Sequence, residues 1–202
     1  MTEQPFMEAA VPRIKMKNAR LKQIKMDALS ARALYRDRLF YFNSLKNIYM
    51  LISICGSISF LGALYIARGT YFQDSIEFIS TILSVITILY AVITLIYKYD
   101  DNIIISKNGI RNNTFIASEV DSAISTNKKE SELHWFYRYV SQVDTEDNDF
   151  FSGLKISHKQ KAYREALKES TIGNIEILCA RCNRSPWDYE KGDCQLCGNQ
   201  LK

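Results

Sequence analysis

The sequence predicts a mainly α membrane protein in four parts. These are a long N-terminal helix, a two-helix transmembrane hairpin, a helical cytoplasmic region and a small C-terminal four-cysteine zinc ribbon or knuckle. Three observations predict it. Residues 47–67 and 78–97 hold no charged side chain over 21 and 20 positions. Residues 13–45 contain neither Pro nor Gly. Four of the five Cys fall in the last 24 residues as C-x2-C-x11-C-x2-C. The totals alone suggest an ordinary soluble chain, with 202 residues, a net charge of +4 and 47% hydrophobic residues. Only the partition of those totals along the chain separates the parts. With 3 Pro and 8 Gly, a low-complexity or wholly disordered chain is excluded.

Residues 1–46 are read as a basic cytoplasmic helical arm. They carry ten Lys+Arg against four Asp+Glu, whereas residues 98–202 carry fifteen against sixteen. The excess charge thus belongs to the arm, which is unlike a nucleic-acid binder with a basic folded domain. Ile14, Leu21, Ile24, Ala28, Ala31, Tyr35, Phe42 and Leu45 follow a 3–4 spacing, interrupted by Lys17 and Arg38. Arg13, Lys15, Lys17, Arg20, Lys22 and Lys25 are candidates for contact with anionic lipid headgroups. The plainer reading is a cytoplasmic flank that sets topology. Direct nucleic-acid binding is not expected, because the basic stretch lacks stacking aromatics.

Residues 47–97 form the expected hairpin, with spans at 47–67 and 77–97. Each has the roughly 20 apolar residues needed to cross a hydrocarbon core about 30 Å thick. Buried core helices of a soluble protein are the alternative, but these usually keep a polar face. Lys46, Arg68, Glu77 and Lys98 bracket the spans, with Tyr49, Tyr65, Tyr71, Tyr97 and Tyr99 near their ends. The basic arm places both termini in the cytoplasm and the short connection outside. No cleavable signal peptide is read, since the first apolar run follows a polar arm of 46 residues.

In the second span, Ser80, Ser84, Thr87, Ala91 and Thr94 fall within an arc of about 80°, with Glu77 on the same face. Such a stripe is either a packing seam or the lining of an oligomeric pore. Ser53, Gly56, Ala63 and Ala67 make a looser stripe in the first span, where Cys55 reads as a small apolar filler. Neither span holds a deep ionisable residue, which argues against a proton relay or coupled transporter.

Residues 98–175 are read as a mostly helical cytoplasmic region, with helices over 115–126, 131–143 and 157–170. Ser157 is taken as the N-cap of the last, and Gly173 as lying near its end. The run 144–149 reads as an acidic connecting loop. Residues 103–105 fit either a short strand before an Asn108-Gly109 turn or a helical extension. His134 and His158 are isolated and read as ordinary surface or packing residues. No catalytic motif is present, so an enzyme is not expected.

Residues 176–202 form the expected metal module, with Cys179, Cys182, Cys194 and Cys197 as ligands. Four thiolates close a tetrahedral zinc site and leave no open position for catalysis. Gly198 follows the second pair, where a tight knuckle turn favours a residue without Cβ. Little apolar material surrounds the motif, so a structural Zn2+ would contribute most of the folding energy. A redox dithiol pair and disulfides are the alternatives.

This arrangement of basic arm, two-span hairpin and helical tail resembles the SLATT family of two-transmembrane effectors. The Cys pattern is similar to that of a subgroup described as mobilome CxxCx(11)CxxC proteins. The resemblance implies an inner-membrane effector of a bacterial antiphage defence system. Activated by a partner protein or a nucleotide signal, it would oligomerise and permeabilise the membrane. The lipid bilayer, further copies of the chain and a cytoplasmic activating protein are the implied partners. The alternative is a membrane-tethered zinc-ribbon adaptor that recruits a cytoplasmic protein.

Overall fold

The computed structural model describes residues 5–67, 73–96, 98–171 and 177–201. Side chains are described within these, apart from 5–15, 64, 66–67 and 94–96. The side chains of Arg13, Lys15 and Thr94, and all of Gly173, therefore lie outside the described residues. The elements are α1 (Pro5–Ala67), α2 (Gln73–Ile96), α3 (Tyr99–Ser125), a 3-10 turn (Glu130–Leu133), α4 (His134–Phe151) and α5 (Ile156–Ser170). No strand forms among the described residues; one isolated bridge joins Lys191 and Asn199. The chain divides into two compact units, residues 1–37 with 107–202, and residues 38–106.

In the first unit the 3–4 pattern of α1 becomes a core face. Leu21 and Ala28 pack with Ile116, Val120 and Ala123 of α3 and with Phe136, Val140 and Val143 of α4. Tyr35, one heptad further, is 3% exposed. Its ring stacks on Phe150 at 5.1 Å and tilts against Phe151 at 4.6 Å. Its hydroxyl donates to Asp147 Oδ1 at 2.7 Å, and Asn113 Nδ2 donates to Asp147 Oδ2 at 3.0 Å.

That carboxylate explains a correction. The acidic run 144–149 is not a loop; it lies inside α4. Phe136, Val140, Val143, Asp147 and Phe151 share one helical stripe, and Asp147 is tolerated there because both its oxygens are hydrogen-bonded. Residues 103–105 and Gly109 are also helical, within α3. Gly109 is a contact glycine rather than a turn glycine, since a Cβ there would lie 2.4 Å from the Tyr35 ring. Ser157 is not the cap of α5; the helix begins at Ile156 with Lys155 at the N-cap.

In the second unit, two helical segments run side by side. Tyr49 stacks on Tyr90 at 4.7 Å, and the Gly56 Cα hydrogen position faces Leu83, so that a Cβ there would lie 3.5 Å from Leu83 Cδ2. Several hydroxyls on the two segments are satisfied within their own helices, whereas Ser53 Oγ is buried with no hydrogen-bond partner among the described residues. Ser57 donates to the Ser53 carbonyl, Ser80 to that of Glu77 and Thr87 to that of Leu83. Beyond the seam the apolar surface is open, as at Leu51, Ile58, Phe78, Ile86 and Ile88, all more than half exposed. Two helical stretches are long and apolar enough to cross a membrane, and none of their apolar windows is buried within the chain.

Candidate metal centre

The metal module is built from two matching turns. In the first, Asn183 N–H donates to the Cys179 carbonyl at 2.9 Å and Cys179 N–H donates to the Arg184 carbonyl at 3.0 Å. In the second, Gly198 N–H donates to the Cys194 carbonyl at 2.7 Å and Cys194 N–H donates to the Asn199 carbonyl at 3.0 Å. The residue four after each leading Cys takes a left-handed backbone, with φ 52° at Asn183 and 71° at Gly198. Glycine adopts this freely and asparagine is the side chain that best tolerates it. The two knuckles are therefore pseudo-equivalent. The Asn at position 183 was the readable signal for the first, though only Gly198 stands out in the sequence.

The knuckles bring Cys179, Cys182, Cys194 and Cys197 together, with all four Sγ within 4.8 Å of one another. The Cys179–Cys194 and Cys182–Cys197 sulfurs lie 3.9 Å and 3.4 Å apart. A tetrahedral ion with metal–sulfur bonds of about 2.3 Å needs sulfurs about 3.8 Å apart, so the spacing fits one metal ion. Three of the four are buried. Burial pushes the Cys179 and Cys197 thiols up from 9.0. Burial acts in the same direction on Cys194. There it is outweighed by hydrogen bonds from the Cys197 and Leu196 backbone and from the Cys197 and Cys182 thiols, which bring it down to about 7. Such a pattern is a proton-sharing cluster, and a divalent cation would replace those protons.

Helix α5 holds the module through residues that the sequence reading missed. Gln160 Nε2 donates to the Cys194 carbonyl at 3.1 Å, and Arg164 Nη1 donates to the Cys197 carbonyl. The Arg164 guanidinium also sits 3.8 Å over the Tyr189 ring, and Lys168 lies 5.0 Å over Trp187. Gln160, Arg164 and Lys168 are spaced by four, so one polar helix face makes all three contacts. Leu167 completes the apolar contact with the cysteines, beside Tyr163 and Met26. Asn199 is buried and bridges two backbone groups, accepting from Glu190 N–H at 2.7 Å and donating to the Asp188 carbonyl at 2.9 Å.

The family described as mobilome CxxCx(11)CxxC protein matches residues 18–200. The chain belongs to this family. No curated protein and no solved structure matches it. The two Cys pairs that give the mobilome CxxCx(11)CxxC family its description are the two knuckles above, and the match extends back through every helix to α1.

The other candidate residues are dispersed from this centre. Lys17 Nζ donates to the Lys128 carbonyl at 2.8 Å, Lys25 pairs with Asp121 at 2.6 Å, and Arg20 lies 4.3 Å over the Tyr137 ring. These arm cations are thus engaged with α3, α4 and the turn between them, while Lys22 is exposed. Ser80, Ser84 and Thr87 line a crevice against Ser53, Gly56 and Ser57 of α1. Ala91 lines a second crevice with Lys46 and Tyr49.

Proposed function

We propose that the chain is a two-span protein of the bacterial inner membrane, with both termini cytoplasmic, whose cytoplasmic domain is stapled by one structural Zn2+. The unburied apolar surface of α1 and α2 carries this reading. Core helices of a soluble protein would bury such a surface, and exposed apolar patches of this extent mark a membrane or partner contact. The Ser57 and Thr87 hydroxyls, which would be costly in lipid if unpaired, donate to their own helix carbonyls. Zinc is the metal that four clustered thiolates with no open position suit best. Purified protein should carry about one zinc per chain, and Cys182→Ser should lower that content; an iron-loaded or metal-free native protein would refute the assignment.

Within that frame the chain acts as an effector of an antiphage defence system. On activation by a cytoplasmic partner or a nucleotide signal it assembles with further copies and permeabilises the bilayer. The resemblance of the arrangement to two-span effectors supports this reading, together with membership of a mobilome family. A second reading, the membrane-tethered adaptor, is favoured by one observation. Ser80, Ser84 and Thr87 face α1 of the same chain, as a packing seam would. Exchanging residues 47–97 for an unrelated two-span anchor separates the two. The effector reading requires the exchange to abolish depolarisation on induced expression with the neighbouring genes; full activity of the exchanged chain would leave the adaptor.

A further inference from the structure

At the junction of α2 and α3, within the second unit, Lys46, Tyr49, Met50, Lys98, Asp100 and Asp101 line an open crevice of about 530 Å³. Lys46 is committed to Asp100, at 2.7 Å. Lys98 and Asp101 have no ion-pair partner within 4.0 Å among the described residues. The crevice therefore presents one unpaired ammonium and one unpaired carboxylate above an apolar wall of Met50 and Tyr49. Lys98 has φ 45°, a left-handed backbone that glycine would adopt without strain. A long cationic side chain placed where the backbone favours glycine points to use of that cation.

We propose that this crevice binds the headgroup of a zwitterionic phospholipid with a primary amine. The lipid phosphate meets the Lys98 ammonium, the lipid ammonium donates to the Asp101 carboxylate, and the first acyl carbons lie along Met50. The charge pattern selects this class. Two lysines and two aspartates give no net charge, so an anionic headgroup would leave Asp101 facing its phosphate uncompensated. A choline headgroup has no N–H to donate to the carboxylate. The inference rests on the two-span reading above, in which Lys46 and Lys98 sit at the cytoplasmic ends of the spans.

The test uses the full chain in detergent micelles doped with ethanolamine, glycerol or choline phospholipids of matched acyl chains, with retained lipid counted by native mass spectrometry. One ethanolamine lipid per chain should be retained about five-fold over the other two, as expected for a single near-surface charge contact. Asp101→Asn and Lys98→Gly should each bring the ratio near one. Lys98→Gly also relaxes the backbone, so its loss of lipid cannot come from strain, and unchanged helicity by circular dichroism confirms folding. Equal retention of all three lipids, preference for the glycerol lipid, or selectivity that survives Asp101→Asn overturns the proposal. Carbonate extraction of membranes separates the levels. A chain released by carbonate defeats the two-span reading together with this one, whereas a retained chain without selectivity defeats this one alone.

Discussion

The pseudo-equivalence of the knuckles predicts that substitutions at the matching positions 183 and 198 have opposite signs. Gly198→Ala places a Cβ at φ 71°, where an L side chain costs about 1–2 kcal/mol. That Cβ would also lie 2.7 Å from Gln160 Oε1 and 3.3 Å from Arg164 Nη1. Gln160 has to withdraw, which removes its bond to the Cys194 carbonyl, a loss of about 1 kcal/mol. The sum is about 2–3 kcal/mol. Because metal binding and folding of so small a module are one process, the penalty should emerge as roughly 30–150-fold weaker zinc affinity. Asn183→Gly removes a side chain from φ 52°. It should leave affinity unchanged or tighten it by up to about five-fold. Competition with a chromophoric zinc chelator at fixed pH measures both. Equal losses at the two positions, or no loss for Gly198→Ala, would refute the knuckle argument.

Three further outcomes follow from the packing. Ile86, more than half exposed near the middle of α2, should tolerate no charge: Ile86→Arg should oppose insertion by about 3–4 kcal/mol and shift the chain out of the membrane fraction, whereas a water-facing position would accept it. Gly109→Ala gains about 1 kcal/mol of helix propensity but drives a methyl into a Tyr35 ring fixed by Phe150, Phe151 and Asp147. Overpacking of this kind costs about 1–3 kcal/mol, so a lower denaturant midpoint is expected. Burial raises the Asp144 carboxyl above 3.8. A group bound to its proton more tightly when folded favours folding below its unfolded value and penalises it as pH rises through the folded value. Asp144→Asn should therefore raise the melting temperature slightly at pH 7, and the gain should vanish as pH approaches 4.

Much of the architecture was legible because it rests on strong periodicities. The heptad-spaced Leu21, Ala28 and Tyr35 are buried along α1 as their pattern required. The two apolar helices and the Cys spacing were equally plain, since uncharged length and thiol pairs need no tertiary context. The failures have a common cause. Asp147 reads as a loop residue until Tyr35 and Asn113, distant in sequence, supply its donors. Gly109 reads as a turn until the Tyr35 ring is brought against it. For the arm cations, read as lipid-contact candidates or as a topology-setting flank, the contacts of Lys25, Arg20 and Lys17 with Asp121, Tyr137 and the Lys128 carbonyl were likewise invisible, because those partners come from elsewhere in the chain. The metal module was found from its cysteines, but not its attachment, because Gln160 and Arg164 bind backbone carbonyls that carry no sequence signature.

The central claim is that α1 and α2 carry the chain across a membrane and back, leaving the thiol cluster inside. In a Cys55→Ser background, Thr70→Cys puts one thiol in the connection between the spans, while Cys179, Cys182, Cys194 and Cys197 serve as the internal reference. Intact spheroplasts are treated with a membrane-impermeant maleimide, and the labelled protein is weighed before and after lysis in chelator. The account predicts one label before lysis, at position 70, and the four remaining thiols labelled only afterwards. An unlabelled position 70 in intact spheroplasts, or a tail labelled at the same time, would contradict it.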